Sequence, residues 1–152
     1  MLALLLLGAG RAVAADRLVS QLQRFRELSV LMADHPQVLA LLDGGTEVLE
    51  TAPAKLRLFN LQRFARHKGA GTTRVFCLGG SSAYGFPCGA EASFCGVLQD
   101  VLTEAYPGRT IEVVNASGMS YGMHRLNVVA NELVGYEPDL FIVYSGHNEF
   151  AD

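Results

Sequence analysis

Tryptophan is absent, and only five prolines and four histidines occur in 152 residues. The three cysteines, Cys77, Cys88 and Cys95, are odd in number and contain no C-x-x-C pair. That spacing implies neither a zinc site nor a disulfide framework. Cys77 falls inside an apolar strand pattern and Cys95 on a helical one, so both read as core residues and leave the compartment open. Acidic residues are missing between Glu50 and Glu91, whereas Lys55, Arg57, Arg63, Arg66, Lys68 and Arg74 all fall there. Such a stretch is either a solvated face or a surface for phosphate or an anionic membrane. The net charge of -3 argues against nucleic acid as the main partner. Beyond the first residues, no apolar run is long enough to span a bilayer.

What is present fits one folded domain. Half the residues are apolar, and a chain of this length can bury roughly two-thirds of its extended surface. Low proline content and high apolarity exclude disorder for most of it. The amino terminus, "MLALLLLGAGRAVAAD", pairs a short leucine core with a small-x-small site at Ala12-Val13-Ala14. Residues 1–15 thus read as a signal or membrane-anchor segment lacking a basic start, with a buried helix start as the rival. An export signal would place the protein outside the cytoplasm, periplasmic or membrane-anchored.

Residues 16–45 form an amphipathic helical segment. Leu18, Leu22, Phe25, Leu28, Leu31 and Met32 make one stripe, and a second short helix runs through Leu42 to a stop at Gly44-Gly45. The stretch "LVSQLQRFRELSVLMADHPQVLALL" resembles the membrane-proximal helix opening the extracytoplasmic sensory domain of some bacterial sensor histidine kinases. No kinase or phosphoacceptor motif follows it. Residues 46–73 read as a basic connector, with Pro53 early and "KGAGTT" late.

From residue 74 to 152 the pattern alternates. Val75 to Leu78 is a short strand, and Phe94, Val97, Leu98, Val101, Leu102 and Ala105 mark one helical face. Ile111 to Val114 make a second strand, and Met123, Leu126, Val129, Ala130 and Leu133 a second helical face. "LFIVY" is a third strand, apolar throughout as a strand buried on both faces should be. The order β-α-β-α-β predicts an α/β fold with parallel strands. All three strands end in polar, glycine-containing loops, "GGSSAYG", "NASGMSYG" and "SGHNEF". In a parallel sheet these ends share one edge, where ligands bind.

Gly79 and Gly80 permit a sharp turn that exposes Ser81 near backbone N–H groups. The plainer alternative is a turn in which Ser81 or Ser82 only caps. A phosphate-binding loop is excluded, because Phe86-Pro87 stands where Lys-Ser/Thr is required, and no G-x-G-x-x-G fingerprint occurs. Acyl transfer needs a nucleophile and donors aimed at an oxyanion. Ser81 can supply the first; its own N–H, an N–H from the second loop and the neutral amide of Asn148 can supply the others.

These three blocks resemble the SGNH hydrolases, or GDSL-type esterases and lipases. The longer pattern, "VFCLGGSSAYGFP" through "YEPDLFIVYSGHNEF", is closest to a bacterial subgroup often joined to tetratricopeptide repeats. The resemblance covers about residues 70–151 and implies Ser81 as nucleophile. It further implies an oxyanion N–H at Gly118, with Ser117 as the alternative alignment, and an oxyanion amide at Asn148. It implies an acyl-ester or O-acetyl substrate, a sugar or lipid ester, with no metal or organic cofactor. It also implies a three-layer α/β/α sandwich with flavodoxin-like strand order, of which strands two, one and three are present.

Gly80 stands where the family has the aspartate of G-D-S, and Glu149 where it has that of G-x-N-D. The family's D-x-x-H base is absent, and neither His124 nor His147 has spacing that arranges it as a substitute. The chain is therefore expected to be the inactive front portion of a larger hydrolase or a truncated product. Its third strand would then be an unpaired edge open to self-association. The alternative function is a non-catalytic envelope fragment whose amino-terminal helices mediate sensing or interaction.

Overall fold

The computed structural model describes residues 2–4, 42–44 and 47–149. Seven strands occur among them: β1 (Leu2–Leu4), β2 (Leu42–Gly44), β3 (Val48–Thr51), β4 (Arg63–Ala65), β5 (Thr73–Gly79), β6 (Ile111–Asn115) and β7 (Leu140–Tyr144). The α-helices are α1 (Ser81–Tyr84), α2 (Phe94–Ala105) and α3 (Met123–Leu133). One sheet has the order β1-β7-β5-β6 and the other β2-β3-β4.

β5 is buried at every position after Thr73. Its unbroken apolar run therefore makes it the inner strand of a parallel trio. Val75 lies opposite Val113 of β6 on one side and Leu140 of β7 on the other. Side chains alternate across the sheet. Phe76 and Leu78 join Val114, Leu126, Val129 and Leu133 on one face, while Val75, Cys77 and Ile142 meet Cys95 and Leu98 on the other. The chain is α/β, as its strand and helix periodicity predicts.

Four expectations need correction. The supposed connector holds β3 and β4, an antiparallel meander with β2 that places Leu49 and Phe64 in the core. Its strands are only three or four residues long, too short for alternation to stand out beside Pro53 and the glycines. Leu42–Gly44 is a strand, not a helix end; the rest of residues 5–41 lies outside the described residues. β7 is not an open edge, because β1 pairs antiparallel with it, Leu2 opposite Tyr144 and Leu4 opposite Ile142. Finally, α2 is turned relative to its expected apolar face. Cys95 is buried, while Val97 is 51% and Val101 53% exposed. Gln99 explains the turn, since its amide accepts from Val113 N–H (2.7 Å) and donates to Ile111 C=O (3.0 Å). Gln62 similarly accepts from Asn115 N–H (2.9 Å). Two side-chain amides thus occupy backbone groups along β6 that an added strand would need.

The basic stretch is also less of a surface than its composition implies. Lys55 is buried, and that burial lowers its pKa against the opposing charge of Glu132. Lys68 Nζ sits 2.6 Å from Asp139. Arg74 is wholly buried. Its Nε donates to Glu112 (2.7 Å), and its two terminal nitrogens donate to the carbonyls of Tyr136 and Ala65 (2.8 Å each). The guanidinium also lies 4.9 Å from the centre of the Phe64 ring. Arg74→Ala should lower the unfolding free energy by about 2–4 kcal/mol, because it strands two carbonyls and the half-buried Glu112 carboxylate. Arg74→Lys should not restore it, since one ammonium cannot reproduce the planar fork. Urea denaturation of the three proteins checks this; a loss below about 1 kcal/mol for Arg74→Ala would contradict it.

Candidate active site

The three parallel strands deliver three loops to one edge. After β5, Gly80 is extended and the chain enters the single turn α1 at Ser81. Gly85, at φ 105°, ends that turn, and the N–H groups of Gly85 and Phe86 both return to Ser81 C=O. Ser81 is half-buried. Among the described residues nothing hydrogen-bonds its hydroxyl or its N–H.

Close approach explains the two glycines before it. A Cβ at Gly79 would overlap Tyr144 C=O and the Ala83 side chain, and one at Gly80 would overlap Asn148 Nδ2. The same Gly80 Cβ would come within 3.2 Å of His147 Nε2. Asn148 therefore lies directly over the peptide that leads into Ser81. Its Nδ2 donates to Tyr121 C=O at 3.0 Å, which leaves one amide hydrogen without that duty.

The second loop is held from below. Asn115, buried at the end of β6, donates through Nδ2 to Ala83 C=O (3.0 Å) and to Ser93 Oγ (3.3 Å). Its Oδ1 accepts from Ser117 N–H at 3.1 Å. The loop then lies along the end of β5, where Gly118 N–H donates to Gly79 C=O at 2.9 Å. Both expected second-loop donors, Gly118 and its alternative Ser117, are thus engaged within the fold. Met119 N–H goes to Leu58 C=O and Tyr121 N–H to Gly118 C=O. Ser120, at φ 58° and exposed, is left with no acceptor for its N–H among the described residues. Sequence reasoning missed Ser120, and a non-glycine residue at positive φ leaves no signature in composition.

In the third loop, Glu149 accepts from the Ser145 hydroxyl (2.7 Å) and, through both oxygens, from Met123 N–H (3.1 Å). These donors, the hydroxyl foremost, hold its carboxyl below the usual carboxylate range, helped by the charges of His124 and His147. The His147 ring is tilted against Tyr144, with centres 6.4 Å apart. Asn148 is brought against Gly80, the residue before Ser81; Gly118 is nearby with its donor occupied; His147 also reaches Gly80 but makes no hydrogen bond to Ser81.

Behind the site, Cys77 and Cys95 are buried neighbours, and the Cys77 thiol and burial push the Cys95 pKa up. Among the described residues no cluster of His, Cys, Asp or Glu is placed to hold a metal ion. No protein-family model, curated protein or solved structure matches this chain.

Two outcomes test the geometry. Gly80→Ala should destabilise the protein by about 1–3 kcal/mol through overlap with Asn148, read as a lower urea midpoint; an unchanged midpoint would show that the loops are not in contact. The Glu149 carboxyl is more acidic folded than unfolded, so its contribution to stability is present above the ordinary carboxylate pKa. It is lost as pH falls through the depressed folded value. The Met123 amide resonance should therefore titrate below the ordinary glutamate pKa; a midpoint at or above it would refute the contact.

Proposed function

We propose that this chain carries the nucleophile and oxyanion cradle of an SGNH-type serine ester hydrolase. The observation that supports the reading most is the placement of the Asn148 amide against Gly80, beside a serine hydroxyl that no described residue engages. Ser81 Oγ attacks the ester carbonyl carbon and forms an acyl-enzyme as the alcohol leaves with a proton; water then releases the acid. The oxyanion receives the Ser81 N–H and the free amide hydrogen of Asn148. Ser120 N–H, rather than Gly118 N–H, is the second-loop donor in this reading.

The substrate class follows from the family resemblance: an acyl or O-acetyl ester of a sugar or lipid. The adjacency β6-β5-β7 corresponds to strands two, one and three of the flavodoxin-like sheet, and the full α/β/α sandwich belongs to the same proposal. So does an extracytoplasmic location. Among the described residues no helix is long and apolar enough to cross a membrane.

The base is the role these residues do not fill. A serine needs an imidazole within hydrogen-bond reach, oriented by a third group. His147 Nε2 comes near Gly80, yet among the described residues neither a bond to Ser81 nor a hydrogen-bonded orienting partner holds its ring. None of the four histidines follows an aspartate by three residues.

A fluorophosphonate probe followed by peptide mapping tests the reading on the chain itself. With no base placed beside it, Ser81 should label slowly and faster as pH rises, and Ser81→Ala should abolish that labelling while the protein stays folded. Asn148→Ala should slow labelling by about two to three orders of magnitude. Labelling elsewhere, or no labelling of Ser81, would favour the non-catalytic envelope reading.

A further inference from the structure

The third loop is fastened to the second at two neighbouring points. Asn148 Nδ2 donates to Tyr121 C=O at 3.0 Å, and Glu149 accepts from Met123 N–H at 3.1 Å. α3 begins at Met123 after Gly122, which has no side chain to cap it. The first N–H groups of a helix lack partners within the helix, and a carboxylate beside them interacts favourably with the helix dipole. Glu149 therefore caps α3 from a different loop, and the Ser145 hydroxyl holds the carboxylate from its own side.

We propose that Glu149 is a positioning residue for Asn148. Its carboxylate, bridging Ser145 Oγ and Met123 N–H, clamps the third loop to the start of α3 and so keeps the Asn148 amide over Gly80, next to Ser81. This rests on the oxyanion role given to Asn148 above. Asn148 is one residue from Glu149, and among the described residues its own side-chain tether is one hydrogen bond, to Tyr121 C=O. One bond leaves the amide free to pivot about Tyr121 C=O, whereas a second attachment at the next residue fixes the backbone that carries it. The length of Glu149 matters, because both oxygens reach Met123 N–H while one also meets Ser145. A glutamine keeps that length and one acceptor oxygen; an alanine keeps neither.

The test compares the whole chain with Glu149→Ala, Glu149→Gln and Asn148→Ala, alone and combined, using two readouts. In 15N-labelled protein, the Asn148 side-chain amide signals should shift and exchange faster in Glu149→Ala and stay close to wild type in Glu149→Gln. Fluorophosphonate labelling of Ser81 should slow about 10- to 100-fold in Glu149→Ala, as expected when a reacting geometry is misplaced by about 1 Å. It should recover most of that rate in Glu149→Gln. In the Asn148→Ala background, Glu149→Ala should add no further loss, because the two residues act through one donor.

Unchanged Asn148 amide signals in Glu149→Ala overturn the clamp. Additive losses in the double variant overturn it as well, since Glu149 would then act by another route. If Glu149→Ala fails to fold, Ser145→Ala, which removes the hydroxyl holding the carboxylate, takes its place: the Asn148 amide signals should shift, and unchanged signals overturn the clamp. If wild-type Ser81 takes no label, the hydrolase reading fails, and the amide spectra still decide whether Glu149 positions Asn148.

Discussion

A buried guanidinium sets the frame on which the rest of the fold is built. Arg74 is at the start of β5, out of water, where an unpaired charge would cost several kcal/mol. It is tolerable because four partners converge on it from three separate parts of the chain. Glu112 comes from β6, Ala65 C=O from β4, Tyr136 C=O from the turn after α3, and the Phe64 ring from β4. Asp139 completes the cluster by accepting the Arg74 N–H and pairing with Lys68. Each partner fixes the approach of one element, so both sheets and the turn after α3 are referenced to the amino end of β5.

Anchoring one end of a central strand has a consequence at the other. β5, β6 and β7 are parallel and in register with one another, so fixing their starts also fixes where their three loops emerge. There the chain brings backbones together at distances that leave no room for side chains. The loop after β6 extends the pairing of β5 through Gly118 N–H and Gly79 C=O, and Tyr144 C=O crowds Gly79 from β7. The candidate site is therefore assembled chiefly from main chain, with the Asn148 amide and the His147 ring reaching over Gly80 beside Ser81. Such an arrangement suits oxyanion stabilisation, which needs donors fixed before charge develops.

How much of this is legible in the sequence depends on the range over which each feature is determined. β5, β6 and β7 are apolar runs that end in glycine or polar loops, and α3 repeats Leu126, Val129 and Leu133 at helical spacing. Their identities are local and could be read directly. β3 and β4 are short and gain their place from Leu49 and Phe64 meeting the core, a long-range fact with almost no local trace. The turn of α2 away from its apparent face is likewise set by Gln99 reaching the backbone of β6. At the site, the sequence motif led to Ser81 and Asn148, the two side chains to which the proposed function gives the chemistry. It carried no sign that the Gly118 N–H is taken up by Gly79 C=O, because whether a backbone N–H is free depends on which carbonyl lies opposite it in the fold.

On the proposed SGNH reading, the two departures from the G-D-S and G-x-N-D patterns bear on one side chain. Gly80 cannot carry a side chain, because the space a Cβ would fill holds Asn148 Nδ2. An aspartate at that position would collide with the very amide that the resemblance makes an oxyanion donor. Once Asn148 sits that close, its loop must be held down from the far side, and Glu149 reaches both the Ser145 hydroxyl and the first amide of α3. A shorter aspartate has one methylene less with which to span the same two donors. Gly80 and Glu149 thus act on the same side chain from opposite directions, one by leaving room for it and the other by fastening the loop that bears it. A glycine before the serine and a glutamate after the asparagine are on this account coupled, and exchanging either alone works against the placement that the other permits.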